Sequence, residues 1–210
     1  MHITVFGAAG AAGRQIVAEG LARGHRVDAV VRSSARLGEL PAGARGLVGD
    51  ALSYDSVVDL AAGRDVVITA TRPAPGREAE LVAVTEVMLP ALAATGGRLL
   101  VVGGAGTLTL PGGGTVADAP DFPAVLKPIA DACADQLARC RAAADVDWTY
   151  LSPAALLQPG ERTGRHRLGG DELVADAGGV SALSYEDLAV VLLDEAEQPR
   201  HRGRRFTAAY

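Results

Sequence analysis

Three glycines, Gly7, Gly10 and Gly13, stand three residues apart, directly after the apolar run Ile3–Phe6. Where such a triplet links a strand to a helix, it builds a cradle for the diphosphate of a dinucleotide. The first glycine permits a tight turn, the second lets the backbone approach a pyrophosphate, and the third allows close helix packing. Free amides and the dipole at the helix start complete an anion site. Ala9 and Ala12, small residues of the same turn, belong to it. Nineteen residues beyond Gly13, where an acidic residue would bind a ribose hydroxyl, the chain has Arg32, followed by Ser33, Ser34 and Arg36. An arginine there can grip a 2′-phosphate through charge-assisted bonds. This favours NADP(H), with NAD(H) as the second choice. Arg14, beside the last glycine, is a second cation for that phosphate.

Other reactive residue types are sparse. Thr107 and Thr109 can donate to a substrate carbonyl, or equally bond to their own loop backbone. Lys127, the chain's one lysine, is a candidate catalytic group, although a lysine near a helix start also reads as a surface residue. His166, flanked by Arg165 and Arg167, reads as solvated. His2, His25 and His201 show no metal-ligand spacing, so no metal is expected. Cys133 and Cys140, seven apart on one helix, are roughly 10 Å apart and cannot bridge. Gly-x-Ser-x-Gly is absent, which sets aside hydrolase chemistry of that type.

The elements that must position these residues alternate between strand-like runs and helical stripes. Strands are expected at Ile3–Phe6, Arg26–Val31, Gly46–Val48, Asp65–Ala70, Arg98–Val102, Trp148–Leu151 and Phe206–Tyr210. Helices are expected at Ala11–Arg23, after an N-cap at Ser53, along Leu81–Leu92 with a kink at Pro90, along Val125–Cys140, and from Ser184 through Glu195. Gly103–Pro120 reads as a long functional loop, and Gln158–Gly179 as hairpin-like. The result is a single α/β domain over residues 1–210, a doubly wound, Rossmann-like parallel sheet with helices on both faces. Residues 103–122 and 152–183 would form the substrate side.

Composition narrows the class. The chain has 210 residues, 49% of them hydrophobic, and carries a formal charge of -5. That acidity argues against nucleic acid or an anionic membrane surface as the partner. The N-terminus lacks a basic region before its short apolar run, so the expected location is cytoplasmic. The expected partner is a small-molecule acceptor, and the chain is a monomer or homodimer.

Gly7–Gly13 followed by Arg14, then Gly24–Val27 leading to Val31 and Arg32, resembles the atypical short-chain dehydrogenase/reductases. Within them the chain is similar to the NAD(P)H-binding branch that includes NmrA-like proteins and biliverdin/flavin reductase B. Gly49-Asp50-Ala51, Thr69-Ala70-Thr71-Arg72, Val101–Gly106 and Ser152-Pro153-Ala154 extend the similarity along the chain. The resemblance implies that Asp50, with Ala51, reaches the adenine. It places Ala70, Thr71 and Arg72 along the adenosine ribose and diphosphate, and Gly103, Ser152 and Pro153 beside the nicotinamide. One departure is chemical: Pro123 stands four residues before Lys127, where the family's Tyr-x-x-x-Lys pair would place its tyrosine. The leading expectation is an NADPH-dependent reductase delivering hydride to a small flat acceptor such as a flavin, quinone or carbonyl compound. The alternatives are a non-catalytic NADP(H)-binding redox-sensing regulator and, third, an epimerase or dehydratase.

Overall fold

Residues 1–210 are all described by the computed structural model. Six strands, β1 (His2–Phe6), β2 (Arg26–Val31), β3 (Arg45–Val48), β4 (Val66–Thr69), β5 (Arg98–Val102) and β6 (Asp147–Ser152), lie parallel. They alternate with α1 (Ala11–Ala22), α2 (Tyr54–Ala61), α3 (Ala79–Thr95) and α4 (Lys127–Ala142). After three short strands, β7 (Leu156–Gln158), β8 (Arg167–Gly169) and β9 (Ala182–Ser184), come α5 (Tyr185–Glu197) and β10 (Arg204–Ala209). The main sheet runs β3-β2-β1-β4-β5-β6-β10-β8. Its strand order reverses between β1 and β4, the crevice in which doubly wound folds bind ligands.

The two-residue period of the strands explains why both faces are covered. Ile3, Val5, Val27, Ala29 and Ile68 point into the core beneath α1 and α5. Phe6, Val30, Val67, Leu99 and Val101 point into the second core, beneath α2, α3 and α4. Local signals fix the helix starts. Ser53 caps α2, accepting from Ser56 N, and Ser184 caps α5, accepting from Asp187 N at 2.9 Å. Pro90 is an interior residue of α3, yet the helix is continuous from Ala79 to Thr95, with the proline on the exposed side.

Two expectations change form. Gln158–Gly179 is not a hairpin: β7 pairs in parallel with β9, and β8 pairs antiparallel with β10. Parallel partners need a long crossover, so the glycines here serve separate turns within an excursion from the sheet. Gly103–Pro120 is ordered rather than an open loop. Thr109 bridges Thr115, Leu108 is fully buried, and Thr115 with Asp118 forms a capping box around a 3-10 turn.

The excursion is fastened to the helices by carboxylates. Asp187 accepts from Thr163 Oγ1 (2.6 Å), Gly164 N (2.7 Å) and the Tyr210 hydroxyl (2.9 Å). Buried Glu19 of α1 accepts from Arg23 Nε (2.7 Å) and from Arg162 Nε and Nη2 (2.7 and 2.8 Å). The Arg162 hydrogen bonds, together with Arg23, hold the Glu19 carboxyl down at about 2. That lies below the ordinary 4.5, so its contribution is complete above pH 4.5 and is lost as pH falls toward 2. Glu19→Gln is expected to lower unfolding stability at neutral pH by about 1.5–3 kcal/mol. Denaturant titrations should show this gap narrowing between pH 4.5 and 2, whereas a pH-independent gap would remove the ion pairs as its cause.

Candidate functional site

The β1–α1 turn is built by what its glycines lack. Gly7 sits at φ 77°, where a Cβ would meet the Ala70 carbonyl oxygen at 2.6 Å. A Cβ on Gly13 would fall 2.1 Å from the Gly7 oxygen, so α1 can start this close to the turn only with glycine there. Gly10 differs, because a Cβ there would meet only the Gly7 oxygen, at 3.2 Å. No side chain caps α1, and the amides of Ala11, Ala12 and Gly13 have no hydrogen-bond partner in the chain. Unspent donors at a helix start are an anion site. The residues present therefore fit a dinucleotide diphosphate.

Above this turn opens a cleft of about 800 Å³ along the carboxyl ends of the parallel strands. Gly7, Ala9, Gly10 and Ala12 line its middle. Arg32, Ser33, Asp50 and Ala51 line the end beside β2 and β3, and Ala70, Thr71 and Arg72 follow β4. Gly103 and Pro153 line the end beside β5 and β6. Five of the expected site residues are not in the wall. Gly13 is buried behind the turn, and Arg14 is exposed on α1 outside the cleft. Ser152 is fully buried behind Pro153, its hydroxyl without a partner. The other two are the candidate catalytic groups. Thr107 Oγ1 accepts from Arg205 Nη1 at 2.8 Å, and the same guanidinium grips Asp171 through Nε at 2.7 Å. The threonine thus clips its loop to the excursion instead of facing the cleft. Lys127 pairs with Asp131 one turn along α4, on an exposed face. Neither residue lines the cleft.

The hydrogen bonds define the cleft's polar end. Ser33 accepts from Ala35 N at 3.3 Å and keeps its own proton to donate. Asp50 is fixed at the rim by Leu52 N, 3.0 Å from Oδ1. Arg32 lies 3.7 Å from Glu80. Arg36 reaches back to the Ala9 carbonyl (3.0 Å) and pairs with Glu39 (2.8 Å), which lowers the Glu39 carboxyl below its ordinary range. Arg36 was visible in the sequence only as a companion of Arg32, and its return to the glycine turn is a tertiary contact.

The opposite half is apolar, with Ala105, Val116, Phe122, Ile129 and Leu157 in its wall. Behind it lies a closed polar chain. The Tyr150 hydroxyl is 3.1 Å from the Cys133 carbonyl and 3.2 Å from Gln136 Oε1, and Gln136 donates to Thr85 Oγ1. Burial holds the Tyr150 proton well above its ordinary range. Burial also pushes the Cys133 thiol up to about 11 and that of Cys140 to about 12, so both remain thiols at neutral pH. Tyr185, the first residue of α5, also lines the cleft. Its sequence context, inside a capping signal, concealed that placement.

A family model described as NAD(P)H-binding matches residues 7–199. The chain belongs to this NAD(P)H-binding family. Membership agrees with the resemblance read from the glycine turn and the strand ends. YwnB of Bacillus subtilis is 37% identical over 215 residues, covering 99% of this chain and 97% of that one. A candidate NADH-flavin reductase from Streptococcus pneumoniae is 34% identical, with a TM-score of 0.88 over 100% of this chain and 99% of that one. A candidate epimerase from Bacteroides thetaiotaomicron is also 34% identical, with a TM-score of 0.91 over 100% and 96% of the two chains. The NAD(P)H-binding fold is therefore shared with these relatives, whereas their reaction names diverge. No helix of the chain is long and apolar enough to cross a membrane.

Gly10→Val and Gly13→Ala separate the two uses of glycine. Gly10→Val should keep its thermal midpoint while NADPH affinity falls more than tenfold in a fluorescence titration, because the added carbons fill the anion approach. Gly13→Ala should lose thermal stability as well, since its Cβ has no room. Unchanged affinity in Gly10→Val would remove the turn as the diphosphate cradle.

Proposed function

We propose that this protein is an NADPH-dependent reductase acting on a small flat acceptor. The observation that carries this reading is the continuity of one cleft, from three unspent helix amides to an apolar half beside Gly103 and Pro153. The α1 amides and Gly10 would hold the cofactor's diphosphate, and Asp50 and Ala51 would border the adenine. Arg32, Ser33 and Arg36 would bind a 2′-phosphate, drawing the two arginines from Glu80 and Glu39. Gly103 and Pro153 would flank the nicotinamide. Bound there, the reduced cofactor supplies the hydride.

The chain's own contribution is placement and exclusion of water. Apolar walls favour a planar, weakly hydrated acceptor over a sugar or a free hydroxy acid. Tyr150 is held protonated in the core and makes no contact with the cleft, while Thr107 and Lys127 are engaged elsewhere. The acceptor's proton then comes from solvent or from the Tyr185 hydroxyl. Flavins and quinones tolerate that arrangement, and the Streptococcus relative's name points the same way. Epimerisation, the name carried by the Bacteroides relative, calls for a dedicated acid and base, whereas the carboxylates of this cleft, Asp50 and Glu80, lie at the end beside Arg32.

Turnover with a panel of flavins, quinones and carbonyl compounds tests the reading. NADPH oxidation should depend on a flavin or quinone. Tyr150→Phe should retain most activity, whereas Tyr185→Phe lowers kcat only if that hydroxyl is the proton source. NADPH binding without turnover of any acceptor would support the redox-sensing regulator instead.

Cofactor choice is tested separately by calorimetry. A charge-assisted contact to the 2′-phosphate is worth roughly 1.5–3 kcal/mol, so the wild type should favour NADPH over NADH by about ten- to a hundredfold. Arg32→Asp should erase most of that preference. Equal affinities in the wild type would overturn it.

A further inference from the structure

The cleft wall after β5 is made of residues that cannot hold themselves in place. Gly103, Gly104, Ala105 and Gly106 all line the cleft, and together they carry a single methyl group. Glycine backbone is the freest of all, so such a segment needs its order imposed from outside. On one side α4 presses against it. A Cβ on Gly104 would lie 2.9 Å from the Cys133 sulfur, and one on Gly106 would lie 3.0 Å from the Ala130 Cβ. On the other side the first residue with a side chain to grip is Thr107, and the group that grips it is Arg205 of β10.

Arg205 is buried, and each of its three side-chain nitrogens is engaged. Nη1 donates to Thr107 Oγ1 at 2.8 Å, Nε to Asp171 Oδ1 at 2.7 Å, and Nη2 to the Asp171 carbonyl at 3.3 Å. Asp171 belongs to the excursion, and its carbonyl also accepts from Thr109 N at 2.9 Å. One guanidinium therefore clamps β10, the excursion and the segment after β5. The neighbours of Thr107 pass the clamp on: the Gly106 carbonyl accepts from Ala117 N, and the Leu108 carbonyl accepts from Val116 N, itself a cleft residue. Burying a charge in a sheet costs free energy that an aliphatic side chain would not. The rigid fork of arginine is what can hold two partners at a set spacing.

We propose that Arg205 is a positioning residue for hydride transfer, acting through Thr107 to fix Gly103–Gly106 where nicotinamide and acceptor meet. This rests on the reductase reading, in which hydride passes from the reduced cofactor to the acceptor and the accompanying proton comes from solvent or a hydroxyl. Such a transfer is sensitive to placement, because a displacement of about 1 Å can cost on the order of a hundredfold in rate.

The test is centred on Thr107→Val, which keeps the side-chain shape, the arginine and its pair with Asp171, and removes only the accepting oxygen. Its kcat with a flavin or quinone should fall roughly ten- to a hundredfold, and the isotope effect with NADPH deuterated at C4 should rise as hydride transfer becomes limiting. Affinity for 2′-phospho-ADP-ribose, the cofactor without nicotinamide, should stay as in the wild type, while NADPH loses most of its advantage over that fragment. Thr107→Ser, which retains the oxygen, should restore the wild-type values. Arg205→Lys, with one ammonium for two partners, should fall between. Arg141→Gln, which removes the other cation on Asp171, should leave kcat unchanged.

A Thr107→Val variant with wild-type kcat and isotope effect would overturn the proposal, reduce Arg205 to a staple of the fold and leave the reductase reading standing. Equal losses of affinity for NADPH and the fragment would also overturn it, since the disturbance would then reach the whole cleft. A wild type that binds NADPH yet reduces no acceptor would overturn the reductase reading and the role in hydride transfer with it.

Discussion

The approach of α1 to the end of β1 is a contact between backbones, and it leaves no room for a side chain. Gly7 lies against the Ala70 carbonyl, and Gly13 lies against Gly7. Because β1 and β4 are neighbours at the point where strand order reverses, this contact joins the first strand, the first helix and the fourth strand at one place. The start of α1 is thereby aimed along the crevice, and its uncapped amides offer donors to an anion there. Much of the rest is arranged around that junction, with Arg36 reaching over it to Ala9 and the residues after β4 forming its far side.

The parallel sheet was legible because its strands contain short apolar runs buried on both faces, such as Ala29–Val31 and Leu99–Val101. The caps at Ser53 and Ser184 were legible for a local reason, as each hydroxyl bonds an amide three residues on. The excursion after β6 was not. Its strands are three residues long, and their partners lie far away in sequence, β8 with β10 and β7 with β9, so no local period identifies them. Pro90 sits inside α3 without ending it. A proline's local cost is certain, but a helix packed along one side can carry it on its exposed side.

The same division holds at the site. Glycines of the turn, and Arg32, Asp50, Gly103 and Pro153 at strand ends, could be placed because a parallel strand's end determines where the next residue goes. Thr107 and Lys127 could not, because their roles depend on long-range partners or on which side of a helix faces the cleft. Arg205, 98 positions along the chain from Thr107, claims its hydroxyl. Lys127 turns outward to Asp131 while Ile129 and Ala130 on the same helix line the cleft. Nothing in the pattern around Tyr185 marked it as a cleft residue, since its neighbours Ser184 and Asp187 already explained the segment as a helix start.

The fit between Gly103 and Tyr150 carries a consequence for how such a cleft can change over generations. A Cβ on Gly103 would overlap the Tyr150 ring at 1.9 Å, so the tyrosine occupies the volume that a larger residue at 103 would need. The two positions are therefore yoked: a side chain can arise at 103 only in a lineage whose residue 150 has first become smaller. Tyr150 is in turn tied to Cys133 and Gln136 on α4, so shrinking it also strands polar groups that now satisfy one another. Drift at the cleft's β5 wall should thus be slow and stepwise, while the rim residues, without such partners behind them, are free to diversify and retune which acceptors enter.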